Sequence, residues 1–213
     1  MSGASEMLDV NDSDLEHARQ VILAGGITAF PTETYYGLGV NPFDPAALEK
    51  LFALKNRPHD KPVLVLVEDR ARLADLVSEV PPIFETLMAT YWPGPLTLVF
   101  PARPELPHLL TGNTGTVGVR LSSHPVANRL VRAVGGAITA TSANPSGGTA
   151  CVRAAEVRAA FGPGIDWVLE GGPTPGGLGS TILACFGDVV WLVRDGAVPF
   201  AEVQKILAEL AGE

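Results

Sequence analysis

PVLVLV, residues 62–67, is a continuous apolar run with Val at alternate positions and no charge. Such a run reads as a strand covered on both faces, the kind found centrally in an α/β sheet. The flanking patterns agree. Upstream, Asp44-Pro45 has the form of an N-cap followed by proline at the first helical position, and Leu48, Leu51, Phe52 and Leu54 are spaced for one buried helical face. Further back, SDLE at 13–16 has the form of a capping box. It predicts a helix through Val21 and Leu23 that stops at Gly25-Gly26, followed by a strand over 27–31. Downstream, the periodicity predicts helices over 70–77, 82–91, 125–134, 153–161 and 199–210. It predicts strands over 95–101, 116–121, 137–141, 166–170, 180–186 and 189–194. Alternating helices and strands predict one three-layer α/β domain with a mixed sheet over 13–213, preceded by a loose segment, 1–12.

Composition narrows the function classes. The chain has 213 residues, 46% hydrophobic and 18% charged, which excludes a disordered protein. No apolar run reaches the roughly 18 residues that span a bilayer. The acidic, polar N-terminus resembles neither a signal peptide nor a transit sequence, so a cytoplasmic protein with no membrane partner is expected. Cys151 and Cys185 form no Cys-x-x-Cys pair, and the four histidines fall at no metal-ligand spacing. Two buried or half-buried thiols and no protein-built metal centre are expected. The net charge of −8 argues against nucleic-acid binding by overall field. Lys50, Lys55, Arg57, His59 and Lys61 nevertheless make one local basic spot. Walker, dinucleotide-binding and nucleophile-elbow signatures are all missing from the sequence.

Five segments carry polar groups that folding alone does not demand. In FPTETYYGLG, 30–39, a strand-like lead runs into Pro31. Thr32, Glu33, Thr34 and two glycines follow, a mixture of hydroxyls, carboxylate and bare backbone that suits a small polar ligand. Glu33 there can receive an ammonium or cap a turn. LKNRPHDKP, 54–62, crowds Lys55, Arg57 and Lys61, which repel unless an anion or water shares the site; a solvated loop at a helix C-terminus is the plainer alternative. ITATSANPSGG, 138–148, ends a strand in Ser142, Asn144 and a turn able to nest an anion, or simply to turn. Arg120 alternates with Val117 and Val119, so it points to the opposite face and needs an anionic partner, from the protein or from a substrate carboxylate. GGPTPGGLGSTIL, 171–183, permits close approach of another group's atoms, or forms a lid over the site. Arg194 closes a further strand in VRDG.

Taken in order, PTETYYGLG, KNRP with DKP, YWPGPLTLVF, VGVRLSSHP, TSANPSG, GSTI and VRDG resemble the threonylcarbamoyl-AMP synthase family, also called YrdC-like proteins. The resemblance spans residues 30–196 and fits the short single-domain form. It implies a twisted mixed parallel/antiparallel sheet with a concave, positively charged cavity. It implies synthesis of threonylcarbamoyl-adenylate and pyrophosphate from L-threonine, bicarbonate and ATP. A downstream transferase then modifies tRNA, with at most weak tRNA contact by this protein.

Carried over by residue, the resemblance gives Lys55 and Arg57 to catalysis. It gives Arg57, Lys61, Thr116, Ser142, Asn144 and Arg194 to ATP, and Thr32, Thr34, Arg120, Ala140 and Ser180 to threonine. Many members have a histidine touching the amino acid where this chain has Leu66. Every reactant is anionic, so cations and fixed N–H dipoles suit the chemistry better than a histidine or cysteine pair. Mg²⁺ is expected mainly on the phosphates, with no carboxylate cage. The alternatives are an RNA-binding module with a cationic cavity, or another carbamoyl- or adenylyl-transferring enzyme on the same scaffold.

Overall fold

Only the second half of 62–67 forms ladder hydrogen bonds. The computed structural model describes residues 10–187 and 189–212. Its strands are β1 Thr28–Pro31, β2 Tyr36–Gly39, β3 Val65–Val67, β4 Leu96–Pro101, β5 Thr116–Arg120, β6 Ala137–Thr139, β7 Thr141–Ser142, β8 Trp167–Val168, β9 Thr181–Phe186 and β10 Val189–Arg194. Its helices are α1 Asp12–Leu23, α2 Pro45–Lys55, α3 Leu73–Leu76, α4 Pro82–Tyr91, α5 His108–Thr111, α6 Pro125–Val134, α7 Ala154–Phe161 and α8 Phe200–Ala211. The mixed α/β reading holds, but the strands divide into two sheets. One runs β7-β2-β1-β8, the other β10-β9-β4-β5-β3-β6, and both mix parallel with antiparallel pairs.

β3 is an interior strand buried on both faces, as the apolar run requires, though it stands next to the sheet edge rather than at the centre. It lies between β5 and β6, with Val65 and Val67 in one buried cluster and Leu66 in another. Pro62 and Leu64 lead into it and stay outside the ladder, with Val63 N–H bonding Leu110 O at 3.0 Å.

Four local expectations change. The cap of α1 is Asn11, whose side chain accepts from Asp14 N at 2.8 Å; Ser13 lies inside the helix. Asparagine two residues earlier does the work assigned to serine. The expected loose segment 1–12 lies outside the described residues for 1–9. Val10 is buried and Asn11 and Asp12 begin the helix. The single strand expected over 137–141 breaks at Ala140, where the chain leaves one sheet for the other; Ala140 N–H bonds Leu64 O at 2.8 Å. Tyr36–Gly39, which showed no strand pattern, is β2. Its glycines make room for a ring: a Cβ on Gly39 would stand 2.8 Å from Phe30, and one on Gly37 3.3 Å. Phe30 pairs with Gly37 across the ladder and lies over both bare positions.

One buried cation joins the pieces that position the site. Lys55 closes α2 and is 1% exposed. Its Nζ donates to Ser142 O and, at 2.6 Å, to Asn144 O, while Ser146 N–H bonds Lys55 O at 2.8 Å. The helix end and the turn after β7 are thereby locked together. Burial, and after it the charge of Arg57, pulls Lys55 from the ordinary lysine value down to about 7. The unfolded chain then binds a proton that the folded chain releases between about pH 7 and the ordinary value near 10.4. This share of stability is full above the unfolded value and is lost as pH falls through the folded one. Urea unfolding at pH 7 and pH 9 tests it. The wild type should gain stability with pH by up to about 1.4 kcal/mol per unit more than Lys55→Met. Equal slopes in the two proteins would remove Lys55 from the linkage.

Candidate active site

A cavity of about 330 Å³ is lined from both sheets. The turn after β1, the segment before β3, the end of β5, the crossing at Ala140 and the facing ends of β9 and β10 all contribute. Thr32, Thr34, Arg57, Arg120, Ala140, Ser142, Ser180 and Arg194, all expected site residues, line it together.

Thr32 and Thr34 follow Pro31, where β1 has ended. Thr32 Oγ1 donates to Tyr35 O at 2.7 Å and accepts from Thr34 N–H at 3.2 Å. A hydroxyl has one hydrogen, so that of Thr32 is committed to the turn. Thr34 Oγ1, 3.1 Å from Thr32 Oγ1, keeps its own hydrogen for Thr32 or for a ligand. The two hydroxyls expected to serve a ligand alike are therefore unequal: Thr32 holds the turn and Thr34 faces the cavity with a free choice of partner. Segment 171–180 is tied to this wall, by Gly176 N–H to Thr34 O at 2.8 Å and Tyr35 OH to Gly177 O at 2.6 Å.

Three guanidinium groups enter the cavity, each held differently. Arg57, past the left-handed cap Asn56 of α2, donates to Lys61 O at 3.2 Å and Pro62 O at 2.8 Å, with its guanidinium 5.9 Å from the Phe52 ring centre. Arg194 donates from Nη2 to Ser180 O at 2.7 Å and Ser180 Oγ at 3.0 Å. Ser180 Oγ also lies 2.8 Å from Thr97 Oγ1. Arg120 is 3% exposed and stands 3.7 Å from Glu33 Oε1. Burial lowers the pKa of all three; Glu33 opposes that at Arg120, and the charge of Arg120 adds to it at Arg194. Arg120 and Arg194 line the same cavity.

A β-bulge delivers Arg194. Leu192 pairs with Leu183 and Arg194 with Ile182, leaving Val193 as the extra residue. Ile182 lines the cavity, and its ladder partner shares its face. In a regular ladder Arg194 would oppose buried Thr181 and face away. Gly196 then lets the chain press on the 179–181 backbone: a Cβ there would stand 2.5 Å from Gly179 O.

Four expected residues lie outside the lining. Lys55 sits behind the wall, spent on the two carbonyls of its lock, so its placement suits positioning rather than contact. Asn144 is buried, its amide donating to Pro145 O and Gly148 O at 2.8 Å each and its Oδ1 accepting from Ser142 Oγ at 2.6 Å; it shapes the turn. Lys61 is exposed and offers the site only its carbonyl, to Arg57. Thr116 begins β5 while Arg120 ends it, and its hydroxyl pairs with Thr114 at 2.7 Å. The local basic spot therefore disperses, since Lys50 caps Gly25 O at 3.0 Å and His59 lies 3.8 Å from Glu49. Leu66 is fully buried and pairs with Arg120 in register.

Sequence reasoning missed Tyr35, Leu64, Ile182 and Asp195, which also line the cavity. Ile182 alone carried a signal, standing two residues past Ser180 in a period-2 strand. Cys151 is buried and Cys185 half-buried, with Cys185 Sγ donating to Gly187 O at 3.0 Å. Among the described residues no group of three His, Cys, Asp or Glu could hold a metal, and no helix is long and apolar enough to cross a membrane.

Residues 20–196 match the Sua5/YciO/YrdC family model, described as telomere recombination. A Bacillus subtilis (strain 168) protein named threonylcarbamoyl-AMP synthase is 35% identical over 207 residues, 97% of this chain and 60% of its own length. A Pyrococcus abyssi (strain GE5 / Orsay) protein of that name is 37% identical over 189 residues, 89% of this chain and 56% of its own. The crystal structure of P. abyssi Sua5 complexed with L-threonine superposes with a TM-score of 0.90 at 35% identity, covering 93% of this chain and 58% of that one. The chain thus spans 56–60% of the length of these relatives. With the model matched over most of its residues, this chain belongs to the Sua5/YciO/YrdC family.

Proposed function

We propose that the protein makes L-threonylcarbamoyl-AMP and pyrophosphate from L-threonine, bicarbonate and ATP, in the cytoplasm, for transfer to an adenosine of tRNA by a separate enzyme. The observation that carries this reading is the convergence of Arg57, Arg120 and Arg194 with Thr34, Ser142 and Ser180 on one cavity. The names of the relatives and the L-threonine complex of P. abyssi Sua5 support the same choice.

The chemistry needs negative species held side by side. The threonine amine adds to bicarbonate with loss of water, giving a carbamate. A carbamate oxygen then attacks the α-phosphorus of ATP, and the bond to pyrophosphate breaks. Arg120, deepest of the three, takes the amino-acid carboxylate. Thr34 and Ser180 offer hydroxyls to the amine and side-chain oxygen. Leu64, Ala140 and Ile182 give apolar wall for the methyl group, which separates threonine from serine by about 1–3 kcal/mol. Arg57, Arg194 and Ser142 face the nucleotide, where guanidinium groups can fork onto phosphate oxygens. Fixed donors aimed at the developing charge, together with alignment of the reactants, supply the catalysis. Asp195, the single carboxylate among the described lining residues, is one oxygen donor, which fits an Mg²⁺ held mainly by phosphates. When bound, Mg²⁺ neutralises charge on the leaving pyrophosphate.

Pure protein mixed with ATP, Mg²⁺, bicarbonate and L-threonine should release pyrophosphate only when all four are present, and threonylcarbamoyl-AMP should appear by mass spectrometry. Release without threonine, or equal release with any amino acid, refutes the reading. The two ends of the cavity separate kinetically. Arg120→Ala should raise the KM for L-threonine on the order of 100-fold, the equivalent of about 2.7 kcal/mol, with the KM for ATP little changed. Arg194→Ala should do the reverse. An unchanged threonine KM in Arg120→Ala would take the carboxylate away from that residue.

A further inference from the structure

At the rear of the cavity lies a cluster of buried polar groups of which the proposed reaction uses Arg120 alone. Glu33 Oε1, Arg120 Nε and His124 Nδ1 are all buried without a hydrogen-bond partner. They come from the turn after β1, the last residue of β5 and the N-cap of α6. Ser122 ties the three elements together: its hydroxyl donates to Glu33 Oε2 and accepts from His124 N–H at 3.1 Å. Buried groups this costly to leave unpaired point to a function.

The cluster centres on Arg120. Among the described residues its guanidinium makes no hydrogen bond, and its one ion pair is with Glu33, from Nη1 to Oε1 at 3.7 Å. Its orientation therefore rests on attraction to that carboxylate, which is strong in a dry interior. The pair is also loose. A bidentate pair would have used two of the five guanidinium donors; this one leaves them unspent for a ligand. Glu33 cannot easily move away, because its second oxygen is held by Ser122 and its side chain is only 12% exposed. Nor does it face the ligand space. Thr32 and Thr34 line the cavity, and Glu33 between them turns to the rear. The choice open in the sequence, ammonium partner or turn cap, is resolved as neither.

We infer that Glu33 is the positioning residue of this site: it aims the Arg120 guanidinium into the cavity without saturating it, and Ser122 holds Glu33 in place. The kinetic consequence rests on the reading that Arg120 receives the amino-acid carboxylate; the structural consequence does not. Glu33→Gln keeps an acceptor for Ser122 but removes the charge that holds Arg120.

The test has two arms. In ¹⁵N spectra of arginine side chains, the Nε–H signal missing from Arg120→Lys belongs to Arg120. In the ligand-free wild type it should exchange slowly with water. In Glu33→Gln its exchange should quicken at least 10-fold while the backbone amide spectrum is retained. In the second arm, the KM for L-threonine should rise 10-fold or more in Glu33→Gln, with the KM for ATP within twofold. Ser122→Ala should shift both readouts the same way by a smaller factor, Glu33→Asp should lie between, and Ser122→Ala decides the matter if Glu33→Gln does not fold. Unchanged Arg120 exchange in these variants overturns the inference, as does an equal rise in both KM values. Faster exchange with an unchanged threonine KM upholds the positioning role and refutes instead the assignment of the carboxylate to Arg120.

Discussion

The cations of this site are anchored mostly on carbonyl oxygens. Arg57 hangs on the carbonyls of Lys61 and Pro62, Arg194 on that of Ser180, and Lys55 on those of Ser142 and Asn144. A carbonyl fixes the direction of a donor and leaves its charge in place. Among the described residues, Arg120 is the one of these four paired with a carboxylate, at a distance that leaves its other donors free. In a chain of net charge −8, three arginines thus line one cavity together with the carboxylate of Asp195. Burial, before any neighbouring charge, lowers the pKa of Lys55 and of the three arginines.

Burying Lys55 and Arg120 is costly, because a buried ion without a full partner loses several kcal/mol of solvation. The fold offsets the cost where it can. β3 is buried on both faces and fixes the ends of β5 and β6 beside it. The Lys55 lock brings the turn after β7 against α2, so Ser142 and Arg57 meet across the cavity. The bulge at Val193 turns Arg194 inward. Arg120, whose pair with Glu33 is loose, lines the same cavity as Arg57 and Arg194.

The sequence revealed strands and faces better than it revealed depth. PVLVLV announced a strand buried on both faces, and the alternation of Arg120 with Val117 and Val119 announced a guanidinium on the opposite face; both follow from period-2 geometry alone. Of the two glycines in FPTETYYGLG, Gly37 does line the cavity, while Gly39 makes room for the Phe30 ring instead. The cluster of Lys55, Arg57 and Lys61 looked like one basic patch. The left-handed turn at Asn56 sends Lys55 inward, Arg57 to the cavity and Lys61 to solvent, and spacing cannot encode that split. Thr116 was expected at the ATP end of the site, yet it begins β5 outside the cavity while Arg120 ends that strand inside it. The bulge that aims Arg194 left no trace in the pattern VVWLVR.

A crystal structure with L-threonine, Mg²⁺ and a non-hydrolysable ATP analogue bound together tests the shared hollow most directly. The account predicts the amino-acid carboxylate on Arg120 and the phosphates against Arg57 and Arg194, with the reacting groups side by side in the one cavity. Either ligand seated elsewhere, or Arg57 and Arg194 turned away from the phosphates, would contradict it.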